Sequence, residues 1–150
     1  MKYRLLSILL AGVFLSTSAT AQFARPGQAI KFRKSVMYLM NTHFNRIGAM
    51  VEGKAPMDAK ALSEYAALIE TLSKLPWQAY GPGTDKGEET NAKPEIWKEP
   101  AKFKAAGESL MADTTKLALA ARSGNLDTIK SSFAATAKTC KNCHDAFVDE

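Results

Sequence analysis

The 150-residue chain has few of the side chains that bind metals, form cross-links or build strands. It contains two cysteines and two histidines, whereas a structural zinc site usually takes four nitrogen or sulfur ligands. The sequence shows no convincing strand pattern, and thioredoxin-like cysteine pairs normally lie beside a βαβ unit. Lysine and arginine form no dense block interleaved with aromatic residues, which argues against nucleic-acid binding.

Long apolar runs are absent as well, apart from a short one near the start of the chain. A basic beginning, an apolar segment over residues 5–15 and the sequence Ala-Thr-Ala at 19–21 are typical of a signal peptide. We predict a cleaved signal peptide over residues 1–21, with an uncleaved anchor as the alternative, and a mature domain over residues 22–150 without a membrane span. Cleavage would remove two of the 20 basic residues and lower the formal charge from +5 to +3.

Both cysteines lie in one segment near the C-terminus, Cys140-Lys141-Asn142-Cys143-His144. The pattern C-x-x-C-H is the attachment motif of c-type haem. Its two thiols form thioethers with the porphyrin, and its histidine supplies an axial nitrogen to the iron. On a helix these three side chains share one face. A disulfide is the alternative in an exported protein, but it would not explain His144. In bacteria haem c is attached outside the cytoplasm, which agrees with export of this chain.

Apolar residues recur every seven positions in four segments, which predicts four amphipathic helices. Residues that favour helix starts stand at Pro26, Asp58 and Pro94, and at Asn125 or Asp127 for the fourth segment. Pro100 lies inside the third segment, so it must kink or restart that helix.

The connection between the second and third helices, residues 76–94, is rich in glycine, proline and polar residues and predicts a long irregular loop. In the fourth helix, Leu126, Phe133, Cys140 and Phe147 form one apolar row, which turns the cysteines toward the other helices. These features predict an all-α fold, an antiparallel up-down-up-down four-helix bundle that encloses one covalently bound haem.

The apolar seam of the first helix contains one charged residue, Arg33. One interpretation is that its stem packs in the core while its guanidinium extends into solvent. The other is that the guanidinium, whose planar set of donors suits carboxylates, pairs with a haem propionate. The residues alone leave both interpretations open.

The sequence resembles cytochrome c′, the bundle-type class II of bacterial c-type cytochromes, over essentially all of the mature chain. The likeness depends on the C-terminal position of the C-x-x-C-H motif and on three segments: Leu-Pro-Trp at 75–77, Gly-Pro-Gly-Thr at 81–84 and Pro-Glu-Ile-Trp at 94–97. The resemblance implies a periplasmic homodimer with its first two helices in contact. It also implies a five-coordinate, high-spin iron that binds NO and CO but discriminates against oxygen. The implied roles are NO binding or protection and electron transfer to a partner that the sequence does not identify.

Several site residues follow from the same resemblance. It implies that Arg33 lies near the haem propionates and that Lys34 and Glu88 also line the haem. Cytochromes c′ usually have a basic residue four positions after the axial histidine, but this chain has Val148. We expect an NO adduct on the side of the axial histidine to be less stable here, because valine has no hydrogen-bond donor for the bound NO.

The resemblance also implies that Met37 lies over the distal face of the iron. A thioether can be a sixth iron ligand, which would make the protein a low-spin, six-coordinate electron carrier. Methionine can instead act as an apolar lid, or simply fill the core. We expect Met37 to be an apolar lid or a core residue and not an iron ligand, in a pocket without distal donors. The other imidazole, His43, is expected to face the flank of the helix, so a peroxidase-like enzyme would lack its distal base.

Overall fold

The computed structural model describes residues 23–149. The predicted signal peptide lies outside the described residues, so its cleavage stays a prediction. The elements are α1 (Pro26–Val51), α2 (Ala59–Leu72), a short 3₁₀ helix (Pro76–Tyr80), α3 (Glu95–Lys98), α4 (Pro100–Ser123) and α5 (Leu126–Phe147). Within residues 23–149 the only β pairing is an isolated bridge between Ala92 and Val148.

The four long helices form the predicted antiparallel bundle. Helix α1 packs on α2, α2 packs on α4 and α4 packs on α5, whereas α1 and α5 approach each other less closely. The core is built from aliphatic side chains of all four helices, including Ile47, Leu62, Ile69, Leu117 and Ile129. No helix among the described residues is both long and apolar enough to cross a membrane.

The helix starts agree with the predicted signals. The Asp58 side chain accepts a hydrogen bond from the Ala61 amide at 2.9 Å, and the Asn125 side chain accepts one from the Thr128 amide at 3.0 Å. These bonds satisfy amides that the first turn of a helix leaves free. Pro100 does restart the third helix, because α3 ends at Lys98 and α4 begins at Pro100.

Two expectations about the fold were wrong. Residues 76–94 are not irregular throughout, since Pro76–Tyr80 form a 3₁₀ helix against α1. Leu126 is 42% exposed, although it belongs to the apolar row of the fourth helix. It is the first residue of α5, where the chain has only begun to enter the bundle, and its neighbours along the row pack more deeply.

A glycine on α4 lets the 3₁₀ helix approach closely. A Cβ atom at Gly107 would lie 2.9 Å from Cζ3 of Trp77, which is closer than carbon atoms pack. The Trp77 indole also donates a hydrogen bond to the Ser73 carbonyl at 2.6 Å, and its ring meets Phe103 edge-on at 5.6 Å. These contacts fix the indole as one wall of the cavity described below.

Helix α5 is fastened to α4 by the carboxylate of Asp113, whose side chain is 18% exposed. Thr139 on α5 donates to Oδ2 at 2.6 Å, and Lys116 donates to Oδ1 at 2.9 Å. These two hydrogen bonds hold the pKa of Asp113 below its ordinary value of 3.8. A carboxylate with a lowered pKa stabilises the fold above that ordinary value, and this stabilisation disappears as the pH falls through the lowered pKa.

We expect Asp113→Asn to lower the free energy of unfolding by about 1–2 kcal/mol at neutral pH, because hydrogen bonds to a charged group are lost. The difference in unfolding free energy between the variant and the unaltered protein should shrink below a pH of 3.8. Asp113 is then protonated and, like asparagine, uncharged. Urea unfolding over a pH series measures it. Glu108→Gln is the control, since its ion pair with Lys104 on the same helix is exposed and contributes little. A constant difference across the series would contradict this explanation.

Candidate haem-binding site

The attachment motif lies on the last turns of α5 and faces a cavity of about 370 Å³ between α1, α4, α5 and the 3₁₀ helix. Cys140, Cys143 and His144 all line this cavity, so the predicted common face of the helix is present. Both thiols are free in the structure, and the alternative of a disulfide between them is therefore wrong. Burial raises the pKa of Cys140 to about 11 and also raises the pKa of Cys143, so both thiols are protonated at neutral pH.

The rest of the cavity wall is largely apolar and aromatic, as a flat hydrophobic ligand requires. Phe103 is part of this wall, and its ring contacts the rings of Phe147 at 5.3 Å and Tyr80 at 4.7 Å. The apolar part of the wall is completed by Met37, Met40, Trp77, Ile96, Leu110 and Val148.

Arg33 is the most buried charged residue of the site, with 2% of its surface exposed. Its Nη1 donates to the Ala79 carbonyl at 2.9 Å and to the Thr84 hydroxyl at 3.3 Å, and its Nη2 donates to the Thr90 hydroxyl at 3.2 Å. The interpretation that its guanidinium extends into solvent is therefore wrong. The segment after the 3₁₀ helix folds over the first helix and covers the guanidinium.

Among residues 23–149, no carboxylate forms an ion pair with Arg33; its partners are neutral oxygens and the faces of Tyr80 and Trp97, at 4.5 and 5.6 Å. Burial lowers the pKa of its guanidinium, although the nearby Tyr80 and Asp85 act against this effect. A buried charge is normally paired, and Arg33 lines the cavity. The two carboxylates of a haem would supply the missing anion, so the residues present fit this group. The prediction that Arg33 lies near the propionates nevertheless stays a prediction.

Lys34 and Glu88 occupy different positions. Lys34 lines the cavity, and its Nζ donates to the Glu89 carbonyl at 3.1 Å. Glu88 lies outside the residues that line the cavity, and its carboxylate pairs with Lys31 at 3.0 Å. This hydrogen-bonded pair lowers the pKa of Glu88. The structure brings Lys34 to the site and leaves Glu88 at its edge, and both roles toward haem stay predictions.

Met37 and His43 lie on different faces of α1. Met37 lines the same cavity as His144 and packs against the hydrophobic core. His43 is not part of the lining; its ring lies 5.2 Å from the ring of Tyr65 on α2. Its Nδ1 is buried without a hydrogen-bond partner. This placement agrees with the expectation that His43 faces the flank of the helix.

No sequence pattern predicted Tyr80, which lines the cavity beside Arg33. The expected absence of distal donors stays a prediction, but Tyr80, which carries a hydroxyl, lies on the cavity wall. Burial raises the pKa of Tyr80 to about 12, with Arg33 acting against this increase and Cys143 adding to it. One sequence feature pointed to this wall: Tyr80 lies three residues after Trp77, in the segment before Gly81.

Residues 28–148 match the family model described as Cytochrome C′. Cytochrome c′ of Rubrivivax gelatinosus is 48% identical over 129 residues, which cover 86% of this chain and 100% of that protein. Two solved structures are variants of cytochrome c prime from Alcaligenes xylosoxidans, one a nitric oxide complex and the other bound to carbon monoxide. Each is 40% identical with a TM-score of 0.79, and the match covers 86% of this chain and 100% of that chain. The chain therefore belongs to the cytochrome c′ family, whose members carry one covalently attached haem c.

Proposed function

We propose that this protein is a periplasmic monohaem cytochrome with a five-coordinate, high-spin iron that binds NO and CO. The observation that carries the proposal is that the cavity wall offers the iron one imidazole and, besides it, a methionine that packs with the core. One imidazole, that of His144, lines it together with both cysteines, whereas Met37 lines it as part of the core packing of α1. Haem held in this way would supply an iron with one open coordination position. The nitric oxide and carbon monoxide complexes of the relatives support gas binding.

Each residue then has a distinct task in the proposed function. Cys140 and Cys143 attach the porphyrin to α5, and His144 holds the iron from that helix. Arg33 neutralises the propionates from within the bundle. Met37 restricts access, since a small diatomic molecule must pass its side chain. The proposed role is NO binding or protection, with electron transfer as a second role, and it is not catalytic, because His43 lies outside the cavity lining.

The visible spectrum of the dithionite-reduced protein tests the proposal. We expect broad high-spin bands that shift when CO is added. Met37→Ala should leave the spin state unchanged and speed CO binding about tenfold, because removal of an apolar lid lowers the barrier by about 1.4 kcal/mol. Met40→Ala, a change of the same size on the same wall, controls for loss of packing.

The competing function is a low-spin electron carrier with Met37 as the sixth ligand. Met37 lines the same cavity as His144, so this alternative can be tested directly. A sharp low-spin α-band that ignores CO, converted to a high-spin spectrum by Met37→Ala, would establish the alternative and overturn five-coordinate gas binding.

We further propose export by the predicted signal peptide and a homodimer through α1 and α2. Both helices leave large apolar side chains exposed, which is the usual mark of an association surface. Tyr38 and Leu39 on α1 are 71% and 44% exposed, and Leu68 on α2 is 40% exposed. A second copy of the chain would cover them.

A further inference from the structure

Tyr80 is held in one orientation on the wall of the cavity. It is the last residue of the 3₁₀ helix. The Arg33 guanidinium lies 4.5 Å from the centre of its ring, the Phe103 ring meets it edge-on at 4.7 Å, and the Trp97 ring lies at 6.5 Å. With these neighbours around the ring, the position of the hydroxyl is set by the fold.

The hydroxyl itself is not used within the protein. Across the described part of the chain, no group donates to it or accepts from it, and the neighbouring Arg33 directs its hydrogen bonds to Ala79, Thr84 and Thr90. The hydroxyl keeps accessible surface, since it is not among the fully buried side-chain atoms that lack a partner, and a phenol can donate to a molecule bound beside it. The pKa of about 12 keeps this hydroxyl protonated at neutral pH, so it is available as a donor.

Its position indicates which partner it would serve. Tyr80 lies beside Arg33 and shares the cavity wall with Cys143 and Met37. In haem c the cysteine-bound edge and the propionate edge are on opposite sides of the porphyrin. A haem attached at Cys143 with its propionates at Arg33 would therefore pass Tyr80, which lies in the same wall as Met37, the residue proposed to cover the iron.

We propose that the Tyr80 hydroxyl donates a hydrogen bond to the diatomic ligand, so that Tyr80 sets ligand affinity and selectivity in this pocket. This inference rests on the proposed gas-binding function. This hydrogen bond would give the ligand a polar contact in a largely apolar cavity. The contact strengthens as negative charge develops on the ligand atom that is farther from the iron. A phenol in this place lets the pocket distinguish ligands by polarity as well as by size.

The experiment compares Tyr80→Phe with the unaltered haem-loaded protein, using CO as the probe. The variant removes one oxygen and keeps the ring, and thermal unfolding checks that the fold is retained. We expect the C–O stretching frequency of the reduced CO complex to rise, because the hydrogen bond that weakens the C–O bond is gone. CO dissociation should become about fivefold faster, the effect of one neutral hydrogen bond. Tyr65→Phe, on the α1–α2 side of the molecule, should change neither.

Each other outcome overturns the inference in a recognisable way. If CO binds and Tyr80→Phe leaves both the stretching frequency and the dissociation rate unchanged, the inference fails while the proposed function stands. A changed reduction potential with an unchanged C–O stretch would assign the hydroxyl to a propionate instead. If the unaltered reduced protein binds no CO, the proposed function fails and takes this inference with it.

Discussion

Replacement of both Cys140 and Cys143 by alanine will abolish covalently attached haem. Both thiols line the cavity and neither is engaged in a disulfide, so each is available for a thioether, and the chain has no other cysteine. Haem staining after denaturing electrophoresis should show no signal for the double variant. Each single variant should keep one thioether and a reduced amount of attached haem.

The matched control is Asn142→Ala, which alters the same segment of α5. Asn142 is exposed and lies outside the lining of the haem cavity, so this variant should carry as much haem as the unaltered chain. Covalent haem in the double alanine variant would contradict attachment at these positions. Loss of haem from the control as well would show that folding of α5, and not thiol chemistry, had been measured.

Much of the bundle could be predicted from local patterns. Each of the caps at Asp58 and Asn125 joins a side chain to the amide three residues later. The start of the helix can therefore be predicted from a few consecutive residues. The restart at Pro100 is also local, because proline has no amide hydrogen to donate. The seven-residue rows predicted the buried faces except at Leu126, where position along the bundle mattered more than the row.

The haem cavity could be predicted only in part, because its walls meet from distant places in the chain. The C-x-x-C-H motif is contiguous, so the sequence alone predicts the attachment residues. The burial of Arg33 depends on acceptors 46 to 57 residues away, and no local pattern shows that residues after the 3₁₀ helix fold back over α1. Tyr80 was missed for the same reason: its hydroxyl matters because of what surrounds it.

The charge at Arg33 is the second feature with a large expected effect. A buried cation is costly to desolvate, and exchange for an apolar residue can stabilise a protein when the charge serves no purpose. The guanidinium makes three hydrogen bonds that offset this cost. In the proposed function the two propionates offset it further. The size of the change in stability, taken together with the reduction potential, therefore tests whether Arg33 has an anionic partner.

We expect Arg33→Met to lower the free energy of unfolding of the haem-loaded protein by about 3–5 kcal/mol, since removal of one member of a buried charge pair leaves the other unpaired. It should also lower the reduction potential, by on the order of tens of mV, because the reduced iron loses a stabilising positive charge. Arg33→Lys should restore the potential more than the stability, as an ammonium cannot reproduce the planar set of donors.

Lys34→Met is the control for a neighbouring cation on the same wall. Its Nζ makes one exposed hydrogen bond, to the Glu89 carbonyl at 3.1 Å, so its effect on unfolding should stay within about 0.5 kcal/mol. Urea unfolding and redox titration of the four proteins measure both quantities. An Arg33→Met variant as stable as the parent, with an unchanged potential, would mean that neutral acceptors alone satisfy the guanidinium. The propionates would then need another counter-charge, and Lys34 is the remaining cation on the cavity wall among residues 23–149.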